Sequence, residues 1–270
     1  MNRTIRTLAL PEIQRLLDWA AAEGWNPGCN DAVAFAAADR NGFYGAFVDG
    51  VMVAGIAAIA YDARFGFIGL YICHPDWRGQ GHGKAVWDAG MAYLGARTVG
   101  LDGVPEQQAN YASMGFVPAY ETIRMSGMLP AALADDATRP ANGIDAIRAL
   151  DGQGFPAARD AFLSHWLAAP NQAVVHQTDG QIDGYAVLRP CLEGSKLGPL
   201  FAKTTSVASA LLQAVSGPIQ IDVPTAQVQF LSVLSAQGFT AGFRTTRMYR
   251  GAAPSIQMSQ VFGVSSLELG

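Results

Sequence analysis

Four landmarks of this 270-residue chain occur twice, in the same order. Asp49-Gly50 followed by Gly55 is answered by Asp179-Gly180 followed by Gly184. Leu101-Asp-Gly-Val-Pro105 is answered by Ile221-Asp-Val-Pro224. Gly115-Phe116 precedes Arg124-Met125 by nine residues, and Gly238-Phe239 precedes Arg247-Met248 by nine. A repeat of roughly 120 residues is too long for a solenoid unit and reads as a duplicated domain. Chain length allows two domains. Residues 128–143, rich in Ala, Asp and Pro and without a long apolar face, read as the linker between residues 1–127 and 144–270.

Only the first copy carries a glycine-rich loop. Tyr71-Ile72-Cys73-His74-Pro75-Asp76-Trp77 runs into Arg78-Gly79-Gln80-Gly81-His82-Gly83-Lys84. A helix should follow at once, with Val86, Trp87, Gly90, Tyr93 and Leu94 near helical spacing and Gly95 as its stop. Glycines let the backbone turn tightly and approach a ligand, and the unpartnered N–H groups of a helix N-terminus favour an anion. A Walker loop fails here, because Arg78 and Ala85 stand where Gly and Ser/Thr are required. A dinucleotide fingerprint fails too, because the spacing is Gly-x-Gly-x-Gly rather than Gly-x-Gly-x-x-Gly.

Around the loop the first half predicts a strand over residues 4–8 and a helix opened by Pro11, with Ile13, Leu16, Leu17 and Ala20 on one face. A second helix covers residues 31–38. A hairpin follows, with arms 42–48 and 51–59 joined at Asp49-Gly50. Strands over 65–73, 98–101 and 117–125 complete the set. This order, the Arg-Gly-x-Gly-x-Gly loop and Tyr111-Ala-Ser-Met-Gly115-Phe116 together resemble the GNAT N-acetyltransferase superfamily. The resemblance implies a mixed α/β fold of two GNAT-like acyl-CoA N-acyltransferase domains in tandem. It spans nearly the whole chain, Glu23-Gly-Trp-Asn-Pro-Gly28 included, and is similar to tandem bacterial acetyltransferases of unassigned acceptor.

The resemblance implies acetyl-CoA as co-substrate and direct transfer of its acyl group to an amine of a small molecule. The pantetheine arm would bond to the strand backbone of Tyr71, Ile72 and Cys73, as an added strand does. The pyrophosphate would sit on Arg78, Gly79, Gln80, Gly81, His82, Gly83 and Lys84. Tyr111 would hand a proton to the departing thiolate, which its ordinary pKa near 10 permits; a core tyrosine with a satisfied hydroxyl is the plainer alternative. Two family features are missing. Val104 stands where many members carry a cofactor-contacting asparagine, and Phe67-Ile68-Gly69-Leu70 lacks the strand glutamate used as a base. The base is then solvent, a residue elsewhere, or unnecessary. Asp102 is the nearest candidate by sequence, with a turn-forming role in Asp102-Gly103 as its alternative, and Glu106 is a weaker one. Cys73 has no activating base beside it in the sequence, which disfavours an acyl-enzyme. Trp25 and Asn26 follow the first helix, where the acceptor commonly borders in this family; a buried Trp with an Asn-Pro turn is the alternative.

The second copy has Ala202-Lys-Thr-Thr-Ser206 in place of the loop and Leu234 at the position of Tyr111, so it reads as a GNAT-like domain without a CoA site. It would complete the acceptor pocket or brace the first half. Between Pro156 and Pro170 a helix is expected with Phe155, Ala158, Phe162 and Trp166 as its apolar stripe and His165 at the surface. Half the residues are hydrophobic, and no apolar run approaches a membrane span. No basic stretch with a signal core opens the chain, and Cys29, Cys73 and Cys191 are unclustered. A net charge of −4 without a basic stripe disfavours nucleic acid. The expectation is a cytoplasmic enzyme, monomer or homodimer, without a metal. A non-catalytic acyl-CoA sensor or partner-binding protein is the alternative.

Overall fold

The structure, a computed structural model, describes residues 2–132 and 137–270. Its first half runs β1 (Arg3–Thr7), α1 (Leu10–Ala22), α2 (Asp31–Ala38), β2 (Phe43–Val48), β3 (Val51–Ala60), β4 (Phe65–Cys73), α3 (His82–Leu94), β5 (Thr98–Gly103), α4 (Pro105–Ser113) and β6 (Val117–Leu129). The second runs β7 (Thr138–Pro140), α5 (Arg148–Gly154), α6 (Asp160–Trp166), β8 (Gln172–Thr178), β9 (Gln181–Pro190), β10 (Ser195–Ala202), α7 (Thr205–Gln213), β11 (Gly217–Pro224), α8 (Val228–Ala236), β12 (Thr240–Arg250) and β13 (Val261–Gly263). Local chemistry sets several of these boundaries. Pro11 suits the first turn of α1, and the Glu12 carboxylate accepts the Ala9 N–H at 2.8 Å in a capping contact. Asp49-Gly50 and Asp179-Gly180 both hold two successive residues at positive φ, the hairpin turn that matches strand twist.

Among the described residues the strands form one sheet in the order β1-β2-β3-β4-β5-β12-β6-β11-β10-β9-β8-β7, with β13 against β10. The two halves exchange their last long strands. β12, from the second half, lies between β5 and β6 of the first, and β6 lies between β12 and β11. The repeated Asp and Arg landmarks meet across this exchange. Arg247 stands opposite Asp102 and donates to both its oxygens at 2.8 Å; Arg124 stands opposite Asp222 and donates to both of its oxygens at 2.8 and 2.9 Å.

Packing follows the same logic. One face of the sheet holds a core for each half, Val86, Trp87 and Leu94 of α3 in the first and Leu211, Leu212, Phe230 and Leu234 in the second. The other face holds a shared core in which Leu16 and Phe35 join Phe162, Trp166, Tyr185 and Phe201. Fully burying side chains such as Phe35 or Leu16 contributes roughly 1.5–3 kcal/mol each. Trp166 stacks on Phe35 with centroids 6.0 Å apart and donates its indole N–H to the Gly198 carbonyl at 3.1 Å.

Two expectations change. Met128 and Leu129 continue β6, and Thr138, Arg139 and Pro140 pair with β8, so both ends of the expected linker belong to the sheet; residues 133–136 of it lie outside the described residues. The helix after Pro156 begins only at Asp160, leaving Ala158 exposed and Ala157 buried, while His165 is exposed.

Candidate active site

The site begins where β4 leaves β5. The two strands pair in parallel only over Phe65, Gly66, Phe67 and Ile68. Leu70 then takes φ 47° at a bulge against β3, an extra residue that bends the strand. Beyond that bend Tyr71, Ile72 and Cys73 have no partner on the β5 side. A cavity of about 600 Å³ fills the gap. Residues 68–73 form one wall, and Glu106, Gln107, Asn110 and Tyr111 of α4 form another. Arg124, Phe243 and Thr245 reach it from the exchanged strands.

At one end the glycine loop turns into α3. Gly79 and Gly81 sit at φ 75° and 80°, conformations that side chains rarely adopt, and Gly81 is the residue preceding the first turn of α3. A Cβ at Gly79 would meet nothing within 4 Å, so the loop backbone faces open space. Arg78 is held by Glu23 and by the Cys73 carbonyl, to which its Nε donates at 3.0 Å. Gln80 donates to the Asp76 carbonyl at 3.3 Å. Lys84 pairs with Asp88 at 2.6 Å on the exposed surface. His82 is buried, with its ring edge-on to Trp77 at 5.6 Å.

Tyr111 is half-buried on the cavity wall. Its ring stacks on Trp87 at 5.7 Å and meets Phe116 edge-on at 6.2 Å, with Gly103 close beneath it. Trp87 also contacts the Tyr71 ring at 5.3 Å. Among the described residues the Tyr111 hydroxyl has no hydrogen-bond partner, while its ring packs against the core of the first half. Burial pushes its pKa up to about 12. Burial also raises the Cys73 thiol, the opposite of what a nucleophile needs.

Three sequence expectations look different in three dimensions. Asp102 borders the cavity, but its side chain has no exposure and both oxygens are held by Arg247, an arrangement that suits a brace better than a free base. Asn26 does not line the cavity. It is buried at φ 52°, donating to the Glu193 carbonyl at 2.9 Å and accepting from the Glu193 N–H at 3.1 Å, and so ties the first half to the β9–β10 turn. Trp25 does line the cavity, while its carbonyl accepts from Arg124 at 3.1 Å and Lys196 at 2.8 Å. Glu106 is exposed at the rim.

Two cavity residues carried no signal in their own stretch of sequence. Residues 264–270 pack between the halves, and Leu267 and Glu268 line the cavity. A Cβ at Gly69 would lie 1.7 Å from the Glu268 carbonyl oxygen, so only glycine at that point of β4 admits the segment. The missing side chain at Gly69, where a carboxylate was sought, was the available clue.

Among the described residues no helix is long and apolar enough to cross a membrane. Comparison with known proteins gives concordant matches. The acetyltransferase (GNAT) family matches residues 10–117, and an acetyltransferase (GNAT) domain matches residues 147–263. A holothin acyltransferase of Pseudoalteromonas sp. (strain SANK 73390) is 34% identical over 280 residues, covering 99% of this chain and 94% of the relative. A crystal structure from Pyrococcus horikoshii, provisionally described as an acetyltransferase, superposes with a TM-score of 0.85 at 17% identity, over 99% of this chain and 96% of that one. A tandem GNAT protein from the clavulanic acid biosynthesis pathway superposes with a TM-score of 0.62 at 15% identity, over 94% and 100% of the two chains.

Proposed function

This chain belongs to the GNAT acetyltransferase family and is an acyltransferase; on that premise we propose that it moves an acetyl group from acetyl-CoA to an amine of a small molecule by direct transfer. The observation that carries the reading is one cavity bordered by an unpaired strand edge on one wall and an unpartnered tyrosine hydroxyl on another, with the glycine loop following Arg78 at its end. The pantetheine arm adds to Tyr71, Ile72 and Cys73 as a strand would, and their backbone N–H groups polarise the thioester carbonyl. The pyrophosphate lies over the loop from Gly79 to Lys84 at the start of α3. The amine attacks the thioester carbon, the C–S bond breaks, and Tyr111 protonates the leaving thiolate. Raised by burial, Tyr111 keeps its proton until it is needed. Trp25 borders the acceptor, and the second half contributes Phe243 and Thr245 to the same cavity. The relative's name gives holothin as its acceptor; a small molecule is the class carried over.

Release of CoA thiol, measured with a panel of amines, tests the reading. Tight acetyl-CoA binding without release from any amine would favour a non-catalytic sensor instead. The loop has its own test. Gly81→Asp puts a carboxylate beside the pyrophosphate and strains a positive-φ position, so acetyl-CoA affinity should fall at least about tenfold. Gly81→Ala carries the strain without the charge and should lose less. Calorimetric titration showing undiminished affinity in Gly81→Asp removes the loop from the cofactor site.

A further inference from the structure

Among the described residues, ion pairing across the buried centre leaves one carboxylate, Glu268, and one ammonium, Lys196, outside any pair. Asp31 is held by Arg189, Asp102 by Arg247, Asp151 by Arg159 and Asp222 by Arg124, each in a side chain to side chain ion pair. Glu268, only 3% exposed, has no such partner, and its Oε2 accepts no hydrogen bond at all. The charged and titratable groups whose fields reach it are Arg124, Arg189, Lys196, Asp102 and Cys191. The two arginines and the lysine among these already donate elsewhere: Arg124 to Asp222, Arg189 to Asp31 and Lys196 to the Trp25 carbonyl. A buried carboxylate oxygen without a donor costs stability unless a ligand supplies one. Glu268 lines the same cavity as Tyr111, with its backbone carbonyl against Gly69 of β4.

We infer that Glu268 is the catalytic base, binding the acceptor amine through its N–H and taking the proton that nitrogen loses. The inference rests on the acyl-transfer reading above. The cavity's other charges agree with an amine acceptor: Arg78 is neutralised by Glu23, Arg124 by Asp222 and Asp102 by Arg247, leaving only the carboxylates of Glu106 and Glu268. In the step, the amine nitrogen forms the new C–N bond and the C–S electron pair leaves with sulfur. The thiolate takes the Tyr111 proton, and the amine proton passes to Glu268. Transfer of that proton through solvent back to Tyr111 restores both groups, and the products are amide and CoA thiol.

The test is Glu268→Gln, which keeps the shape and removes the basicity, assayed by CoA release from acetyl-CoA with aniline, tyramine and spermidine as acceptors. Turnover should fall about 100-fold or more, the range for losing a general base, with acetyl-CoA affinity unchanged and melting temperature not lowered. Added formate should restore part of the rate to Glu268→Ala, a response that a merely structural glutamate would not give. A Glu268→Gln enzyme with the wild-type rate overturns this inference and leaves acyl transfer standing. Wild-type protein that binds acetyl-CoA and releases no thiol with any of the three amines overturns both.

Discussion

Tyr111→Phe is expected to lower turnover by about 10²–10⁴, the range for removing a general acid, while acetyl-CoA binds as before. The substitution deletes one oxygen that has no protein partner among the described residues and leaves the stack on Trp87 and the edge contact with Phe116 intact. Affinity for the thioester should therefore hold, because its main contacts are to strand backbone and loop. A loss in turnover without a loss in binding marks an interaction made in the transition state. The pH dependence carries a sign. Burial raises the tyrosine, so the protonated donor persists through pH 10, where an ordinary tyrosine is half ionised, and is lost only near pH 12. An alkaline limb near pH 10 that vanishes in Tyr111→Phe would contradict this placement, and an unchanged rate would remove Tyr111 from the mechanism.

Arg247→Ala should be the most destabilising change at the junction of the halves. Arg247 is buried on β12 and donates two hydrogen bonds to Asp102 on β5, with its guanidinium 4.8 Å from the Phe67 ring centroid. Removing it leaves a buried carboxylate without its counter-charge, which costs roughly 3–5 kcal/mol. For a protein of this size that is a fall of roughly 6–20 °C in melting temperature. Replacing both partners, Arg247→Leu with Asp102→Leu, removes the orphaned charge and should recover much of the loss. Scanning calorimetry on the two variants decides the matter. Equal damage from the single and the double change would mean that the pair is not the source of the stability.

Local patterns made most of the first half legible. The strand at residues 65–73 and the helix at residues 31–38 coincide with β4 and α2 because apolar runs and flanking turn residues fix them without distant help. Asp102 shows what local reading misses. Turn former and base were the roles its neighbours suggested, yet its partner lies 145 residues away. The repeat held the answer in plain view. Asp102 and Asp222 recur with Arg124 and Arg247, and a charge pair conserved between copies, but never between neighbours, signals a crossed arrangement. Asn26 was misplaced for a similar reason, since its amide is committed to Glu193 in the other half. Glu268 was invisible because nothing in Ser265-Ser-Leu-Glu-Leu-Gly270 announces a site. Its meaning comes from Gly69, some two hundred residues earlier.

The exchange of β6 and β12 also bears on how the chain is made. β5 borders the cavity, yet the strand paired to its far edge is β12, which ends at Arg250. During synthesis the first half emerges with the glycine loop and Tyr111 already in place, but with one edge of β5 open and β6 lacking both of its eventual neighbours. Pairings this distant in sequence form late, and unpaired edges are the surfaces through which nascent chains associate wrongly. The half that carries the glycine loop therefore depends on the other half for the strand between β5 and β6. The second copy is thereby indispensable whatever chemistry it does, because its β12 fills the place between β5 and β6.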